Sequence, residues 1–227
     1  MQQPPELRIS DDPAGAVGAL LAEQAVRGGS IVLTGGSTPG AAYARAAELA
    51  PDWGRVTVWW VDERCVPSDD ERSNYRLAKE TLLDKLQVAP RAVQRIRGEL
   101  EPEAAAEEYD AALGDTELDL LLLGLGSDGH MASLFPGSPQ LEVDDRRVTW
   151  GPPGLEPFVE RVTLTLPTII TAKRIVFLVA GAGKSEAVAH AFGGEISRDV
   201  PASLARLAPV SVEVFLDGPA ASKLKGA

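Results

Sequence analysis

Short apolar segments alternate with segments of helical period along this chain, and that alternation constrains the fold more than any other feature. Five runs rich in Val, Ile and Leu are predicted strands: residues 30–33, 56–61, 118–123, 174–180 and 210–216. They are largely apolar without strict alternation, which is typical of strands covered on both faces. Residues 148–150 and 162–166 are predicted to form shorter or edge strands.

Segments with helical spacing of apolar residues separate these strands. We predict helices at residues 13–26, 38–49, 73–86, 102–113 and 183–192. This order favours a mostly parallel sheet with right-handed crossovers and helices on both faces. We therefore expect a single α/β domain over residues 1–227, with ligands bound beyond the carboxyl ends of its strands.

The net charge of −11 at pH 7 limits the partners of the chain. Such acidity makes nucleic acid and anionic membrane surfaces poor partners, so an anionic ligand needs a pocket that concentrates basic groups. No apolar run approaches the roughly 20 residues of a membrane helix, and residues 1–15 lack the apolar stretch of a signal peptide. The cytoplasm is the expected compartment. The single cysteine, Cys65, cannot form an internal disulfide and is interpreted as a partly buried apolar residue.

A glycine-rich turn, TGGSTPG, follows the first of the five strands and opens a helix. Gly35 and Gly36 let backbone N–H groups approach an anion, Ser37 and Thr38 add hydroxyl donors, and the helix N-terminus adds a favourable dipole. The turn is neither a Walker A loop nor a Gly-x-Gly-x-x-Gly dinucleotide loop. Anion binding and a plain turn between strand and helix both stay open for these residues.

Three charged residues, Asp62, Glu63 and Arg64, come directly after the apolar run at 56–61. Arg64 can make a bidentate contact with a phosphate or a carboxylate. A surface ion-pair cluster is the alternative that these residues alone favour. The motif SNYR at residues 73–76 follows, and we count its Arg76, together with Asp62, among the candidate substrate-binding residues.

The segment GLGSDGHMAS at residues 124–133 is the most specific stretch of the chain. It places His130, one of two histidines, at a glycine-rich strand end and two residues after Asp128. A neutral imidazole is the natural general base near neutral pH, and Asp128 can orient the ring or stabilise its protonated form. We therefore predict that His130 and Asp128 are catalytic.

Two basic residues further along the chain are candidates for anion binding. Arg161 begins the segment RVTLT, and Lys184 ends the segment GAGK just past a predicted strand. A cation at the start of a helix is unfavourable unless an anion lies between it and the helix dipole. The position of Lys184 therefore points to an anionic ligand.

Taken together, these segments resemble those of the 6-phosphogluconolactonases, in the same order and over roughly residues 30–192. The matching pieces are GGSTP, DER, SNYR, GLGSDGHMAS, RVTLT and GAGK. The resemblance implies a Rossmann-like α/β fold shared with glucosamine-6-phosphate deaminases. It also implies hydrolysis of 6-phosphogluconolactone to 6-phosphogluconate, the second step of the oxidative pentose phosphate pathway.

The resemblance implies roles for particular residues as well. It assigns the catalytic base to His130 and the substrate phosphate to the surroundings of Gly36, Ser37, Thr38, Arg64 and Lys184, with Arg161 as a further candidate. It implies no required cofactor, and no metal ligand is predicted, although the residues alone leave open whether a metal ion binds near Asp62 and Glu63. The expected partner is a phosphorylated sugar lactone, bound by a monomer or a weak homo-oligomer.

Three other functions are weighed against this one. Deaminases carry Phe-Asn-Glu-Pro after the histidine, whereas this chain has Leu134, Phe135 and Pro136 there, and phenylalanine cannot supply the carboxylate. A serine esterase would use Ser127, but the nucleophile motif lacks its first glycine. A non-catalytic sugar-phosphate sensor would usually be fused to a DNA-binding segment, and residues 1–30 show no basic helix-turn-helix pattern.

Overall fold

The computed structural model describes residues 3–153 and 157–224. Its ten strands are β1 (Glu6–Ile9), β2 (Gly29–Leu33), β3 (Val56–Trp60), β4 (Asp62–Arg64), β5 (Ala92–Val93), β6 (Leu120–Leu123), β7 (Val148–Gly151), β8 (Arg161–Leu164), β9 (Ile175–Val179) and β10 (Val212–Leu216). Its α-helices are α1 (Pro13–Arg27), α2 (Ser37–Leu49), α3 (Asn74–Thr81), α4 (Pro102–Leu113), α5 (Leu166–Ile170), α6 (Ser185–Gly193) and α7 (Gly218–Ala221). Four 3₁₀ helices complete the set: Leu83–Lys85, Pro139–Glu142, Ala182–Lys184 and Pro201–Leu207.

Seven strands form one parallel sheet in the order β1-β10-β9-β6-β2-β3-β5. Strands β2 and β6 are neighbours at its centre. After β2 the chain moves outward to β3, and after β6 it moves outward in the other direction to β9. The loops that leave β2 and β6 therefore diverge, and such a switch point opens a crevice at the carboxyl ends of the strands.

Helices cover both faces of this sheet, as two adjacent tryptophans in β3 illustrate. Successive side chains of a strand point to opposite faces. Trp59 packs edge-on against Tyr109 of α4, while Trp60 packs edge-on against Tyr75 of α3. Both tryptophans are buried. The mostly parallel α/β fold with helices on both faces, predicted from the sequence, is confirmed.

A second, antiparallel sheet of three strands, in the order β4-β8-β7, stands beside the first. The segments predicted as shorter or edge strands, 148–150 and 162–166, form β7 and β8 of this small sheet. Strand β4 consists of the three charged residues Asp62, Glu63 and Arg64, so its sequence gives no apolar signal. Its extended form comes from pairing with β8, almost 100 residues further along the chain.

Two predicted helices differ from the structure by more than one residue at one end. The helix predicted at 73–86 ends at Thr81, because the backbone of Leu82 leaves the helical region and a 3₁₀ turn follows. The helix predicted at 183–192 begins at Ser185, after a 3₁₀ turn that ends at Lys184. Within the described ranges, no helix has the length and apolar character needed to cross a bilayer.

Candidate active site

A cavity of about 280 Å³ lies at the switch point between β2 and β6. It is lined by residues from the loop after β2, from β4, from the start of α3, from the loop after β6, from β8 and from the turn before α6. These residues are Thr34, Gly35, Gly36, Asp62, Arg64, Asn74, Gly124, Leu125, Gly126, His130, Ala132, Phe135, Arg161 and Lys184. The cavity therefore joins seven of the predicted site residues, which come from distant parts of the chain.

His130 and Asp128 form a hydrogen-bonded pair at one side of the cavity. Nδ1 of His130 lies 2.6 Å from Oδ1 of Asp128, and the backbone N–H of His130 donates to the same oxygen at 3.2 Å. Burial alone would raise the pKa of Asp128, but the hydrogen bonds from His130 outweigh it and hold that pKa below its usual range. An ionised Asp128 places the proton of a neutral imidazole on Nδ1, which leaves Nε2 free to accept one.

The loop that carries this pair depends on two glycines. Gly126 donates from its backbone N–H to the carbonyl of His130 at 2.9 Å, and Gly129 donates to the carbonyl of Gly126 at 3.1 Å. A Cβ on Gly126 would lie 2.0 Å from Nδ1 of His130. Gly129 has a φ of +88°, in the left-handed region that favours glycine. The glycines of the predicted motif thus fit the imidazole closely against its own loop.

Phe135 lies between two of the predicted site residues. The centroid of its ring is 4.7 Å from the centroid of the His130 ring. The guanidinium carbon of Arg161 lies 5.5 Å from the Phe135 centroid. Both Phe135 and Arg161 are buried, and burial lowers the pKa of Arg161. The sequence singled out Phe135 only because it replaces a carboxylate, and its contact with both groups depends on the tertiary structure.

Arg64 and Arg161 lie directly opposite each other in the antiparallel pairing of β4 with β8. This pairing places two guanidinium groups on the same wall of the cavity. The Nη1 group of Arg64 donates to the carbonyl of Arg72 at 2.5 Å, whereas its buried Nε has no hydrogen-bond partner among the described residues. This pair of arginines at the cavity wall is suited to an anion.

Lys184 provides a third positive charge on the cavity wall. It stands at the end of a 3₁₀ turn, immediately before α6, and its ammonium group forms no ion pair within the part of the chain that the structure describes.

The turn after β2, which also lines the cavity, is held by Tyr43 of α2. The Tyr43 hydroxyl accepts from the N–H of Thr34 at 2.8 Å and donates to its carbonyl at 2.6 Å.

Asp62 brings a buried carboxylate to the same cavity. Its Oδ2 accepts a hydrogen bond from Ser133 at 2.7 Å, and its Oδ1 accepts a longer one, 3.3 Å, from the amide of Asn74. Asn74 also donates to the backbone carbonyl of Asp62 at 2.9 Å. Asn74 belongs to the SNYR motif, but the sequence analysis picked out Arg76 from that motif instead.

Four predicted site residues do not line the cavity. Ser37 and Thr38 form the first turn of α2, with Gly36 as the residue that precedes the helix. Asp128 acts on the cavity only through His130. The guanidinium group of Arg76 is engaged elsewhere, by Glu80 at 2.7 Å and by the carbonyl of Asp69 at 2.9 Å.

A serine esterase, a cysteine nucleophile and a metal centre gain no support from this geometry. Ser127 is exposed and does not line the cavity, and Nδ1 of His130 is already engaged by Asp128. Burial raises the pKa of the Cys65 thiol to about 12, which makes it a poor nucleophile. Among residues 3–153 and 157–224, no group of three or more His, Cys, Asp or Glu side chains is placed to hold a metal ion.

Comparison with known proteins gives one consistent family. A family model described as glucosamine-6-phosphate isomerases/6-phosphogluconolactonase matches residues 14–214. The chain is 37% identical over 216 residues to probable 6-phosphogluconolactonase 1 of Arabidopsis thaliana, covering 86% of this chain and 81% of that protein. It is 40% identical over 182 residues to 6-phosphogluconolactonase of a Synechocystis strain, covering 74% and 72% of the two chains. The structure of 6-phosphogluconolactonase from Trypanosoma cruzi superposes with a TM-score of 0.85 at 27% identity, over 99% of this chain and 98% of that one.

Proposed function

The chain belongs to the glucosamine-6-phosphate isomerase/6-phosphogluconolactonase family, and from that membership we propose that it hydrolyses 6-phospho-D-glucono-1,5-lactone to 6-phospho-D-gluconate. The observation that carries the proposal is the content of one cavity. A histidine with an ionised aspartate behind it faces a space that three basic side chains also line. Such a space suits a substrate with a charged, non-reacting phosphate at one end and an ester at the other.

In the proposed mechanism, His130 is the general base. Nε2 takes a proton from a water molecule as the water oxygen forms a bond to C1 of the lactone. The negative charge on the carbonyl oxygen is held by nearby donors, with Arg64 and backbone N–H groups as the candidates. The imidazolium ion, stabilised by Asp128, then returns the proton to the ring oxygen as the bond between C1 and that oxygen breaks. The carboxylic acid that results ionises in water.

Binding of the phosphate is assigned to the basic groups of the cavity, and Arg64 is a candidate for this role as well as for holding the oxyanion. Backbone N–H groups around Gly35 and Gly36 and the cations of Arg64, Arg161 and Lys184 supply the positive field. Holding the phosphate positions the lactone carbonyl against His130 without taking part in the reaction.

The deaminase branch of the same family is the alternative. That reaction was expected to require a carboxylate close to the histidine, at the position that Phe135 occupies. Here an aromatic ring packs against His130 at 4.7 Å, so no carboxylate can act from that position. The cytoplasm as compartment, and a monomer or weak homo-oligomer as assembly state, stay parts of the proposal, to be tested by fractionation and light scattering.

The test is the opening of 6-phosphogluconolactone generated in situ, after subtraction of its spontaneous hydrolysis. Wild type is expected to accelerate the opening. His130→Ala is expected to lower kcat by about 100-fold to 10,000-fold, the usual contribution of a general base. Glucosamine 6-phosphate is the control substrate and should not react. No acceleration by wild type would reject the lactonase, and full activity of the variant would reject His130 as the base.

A further inference from the structure

Glu63 is a buried carboxylate to which the proposed mechanism gives no role. Its side chain accepts four hydrogen bonds. Oε1 accepts from the backbone N–H of Arg64 at 2.8 Å and of Asn74 at 2.7 Å. Oε2 accepts from the backbone N–H of Tyr75 at 2.8 Å and from the hydroxyl of Ser73 at 3.0 Å. Only 2% of Glu63 is exposed, so its acceptors are all used inside the protein.

Three of these donors belong to the start of α3. Ser73 is the residue that caps the helix, and Asn74 and Tyr75 begin it. The first N–H groups of a helix have no partner within the helix, and a negative charge beside them is favourable. Glu63 supplies the acceptors and, when ionised, that charge from β4, so it ties the start of α3 to the strand next to the cavity.

The residues that this carboxylate holds are cavity residues. Asp62 and Arg64 flank Glu63 in β4, and Asn74 is one of its hydrogen-bond donors; all three line the cavity. Asn74 also fits closely against the glycine turn, since a Cβ on Gly35 would lie 2.0 Å from its side-chain oxygen. One buried group therefore sets the relative positions of three residues and of the turn that faces them.

We propose that Glu63 is a positioning residue that holds the side of the cavity formed by Asp62, Arg64 and Asn74 in the geometry needed to bind the substrate. His130 is held by separate hydrogen bonds, within residues 126–130 and through the Gly129 carbonyl, which accepts from Ala202 at 2.9 Å. Loss of Glu63 should therefore weaken substrate binding and leave the base in place. The inference rests on the proposed function only for its kinetic readout.

A glutamine in place of Glu63 tests the need for a carboxylate with little change in shape. Each oxygen of Glu63 accepts from a backbone N–H, so the amide NH₂ of glutamine must face at least one N–H wherever it lies. A buried donor is then left without an acceptor, which is costly. The start of α3 is expected to shift away from β4.

The experiment compares Glu63→Gln and Ser73→Ala with wild type in lactone opening. Ser73→Ala removes one donor to the carboxylate together with the side-chain cap on the N–H of Arg76, and it serves if the first variant does not fold. Glu48→Gln is the matched control, because that glutamate is exposed on α2 and pairs with Arg45. For Glu63→Gln we expect KM to rise by about tenfold or more with kcat within about twofold, since misplacing a group by 1 Å can cost about 100-fold. Ser73→Ala should move KM in the same direction by less, and Glu48→Gln should move neither constant.

Backbone amide exchange gives a readout that is independent of the substrate. The N–H groups of Arg64, Asn74 and Tyr75 should lose protection in Glu63→Gln, while that of Gly126 keeps it. Unchanged protection would overturn the proposal, whatever the substrate is. A tenfold or larger fall in kcat with KM unchanged would mean that Glu63 merely supports folding. That result would also overturn the proposal. If wild type does not open the lactone, the proposed function fails while the exchange result still decides the role of Glu63.

Discussion

The two sides of the cavity are built in different ways. The side of the cavity that carries His130, residues 124–135, is one continuous loop, and we call it the catalytic side. The bonds around His130 mostly join residues a few positions apart, such as Asp128 and His130, with one longer-range bond from Ala202 to the Gly129 carbonyl. The binding side, made of β4, β8 and the start of α3, is held by long-range contacts: Arg64 faces Arg161 across the small sheet, and Asp62 accepts a hydrogen bond from Ser133 of the catalytic side, 71 positions away.

Burial differs between the two sides as well. About a quarter of the His130 side chain is exposed, whereas Asp62 and Glu63 are 5% and 2% exposed. Burial raises the pKa of Glu63 to about 7 against the lowering effect of its N–H donors. This difference fits the proposed division of roles: the proposed base, which must meet water, lies on a short, accessible loop, while the buried framework fixes the groups proposed to orient the substrate.

The largest effect is expected from crowding the catalytic side. In Gly126→Ala the new Cβ would lie 2.0 Å from Nδ1 of His130, so the ring must move. We expect kcat to fall by about 100-fold, the scale of a 1 Å misplacement, with KM nearly unchanged. Gly218→Ala is the control, because a Cβ there has no atom within 4 Å. A rise in KM instead of a fall in kcat would show that this loop binds substrate.

A smaller effect, on KM instead of kcat, is expected on the binding side. Lys184→Ala should raise KM by about tenfold, because a hydrogen bond to a charged group contributes roughly 1.5–3 kcal/mol. The value of kcat should change little. Lys173→Ala is the control, since Lys173 pairs with Glu117 and Asp119 at the other end of the sheet. An unchanged KM would remove Lys184 from the phosphate site.

The smallest effect is expected for Arg76, which the sequence predicted as a substrate-binding residue. Its guanidinium group is bound to Glu80 and to the Asp69 carbonyl, and it does not line the cavity. Arg76→Ala should therefore change kcat and KM by less than about twofold, as surface substitutions usually do. A clear rise in KM, measured in the same lactone assay, would mean that Arg76 turns toward the substrate when it binds.

The contrast between local and long-range contacts also explains which features could be predicted from the sequence. The pairing of His130 with Asp128 could be predicted because it is local: the two residues lie two positions apart in a glycine-rich loop at a strand end. The apolar strands and α4 were found because their periodicity is strong. Strand β4 was missed because three charged residues become a strand only by pairing with β8, and β1 was missed because its residues are exposed at a sheet edge.

Side-chain partners across the fold were beyond the reach of sequence patterns. The sequence favoured no role for Glu63, because its four donors come together only when α3 begins beside β4. Arg76 was predicted to bind substrate, but a glutamate four residues on in the same helix engages its guanidinium group. Asn74 of the same motif lines the cavity, and nothing in its sequence context singled it out. The contact of Phe135 with both His130 and Arg161 likewise requires β8 to lie beside the loop.

The central claim, that chemistry and substrate binding lie on separate sides of one cavity, is tested most directly by a double-mutant cycle. Wild type, Gly126→Ala, Lys184→Ala and the double variant are compared in the opening of 6-phosphogluconolactone. Gly126→Ala should lower kcat, and Lys184→Ala should raise KM. Their free-energy effects on kcat/KM should add to within about 0.5 kcal/mol in the double variant. A strong coupling between them, or a fall in kcat of equal size in both single variants, would contradict it.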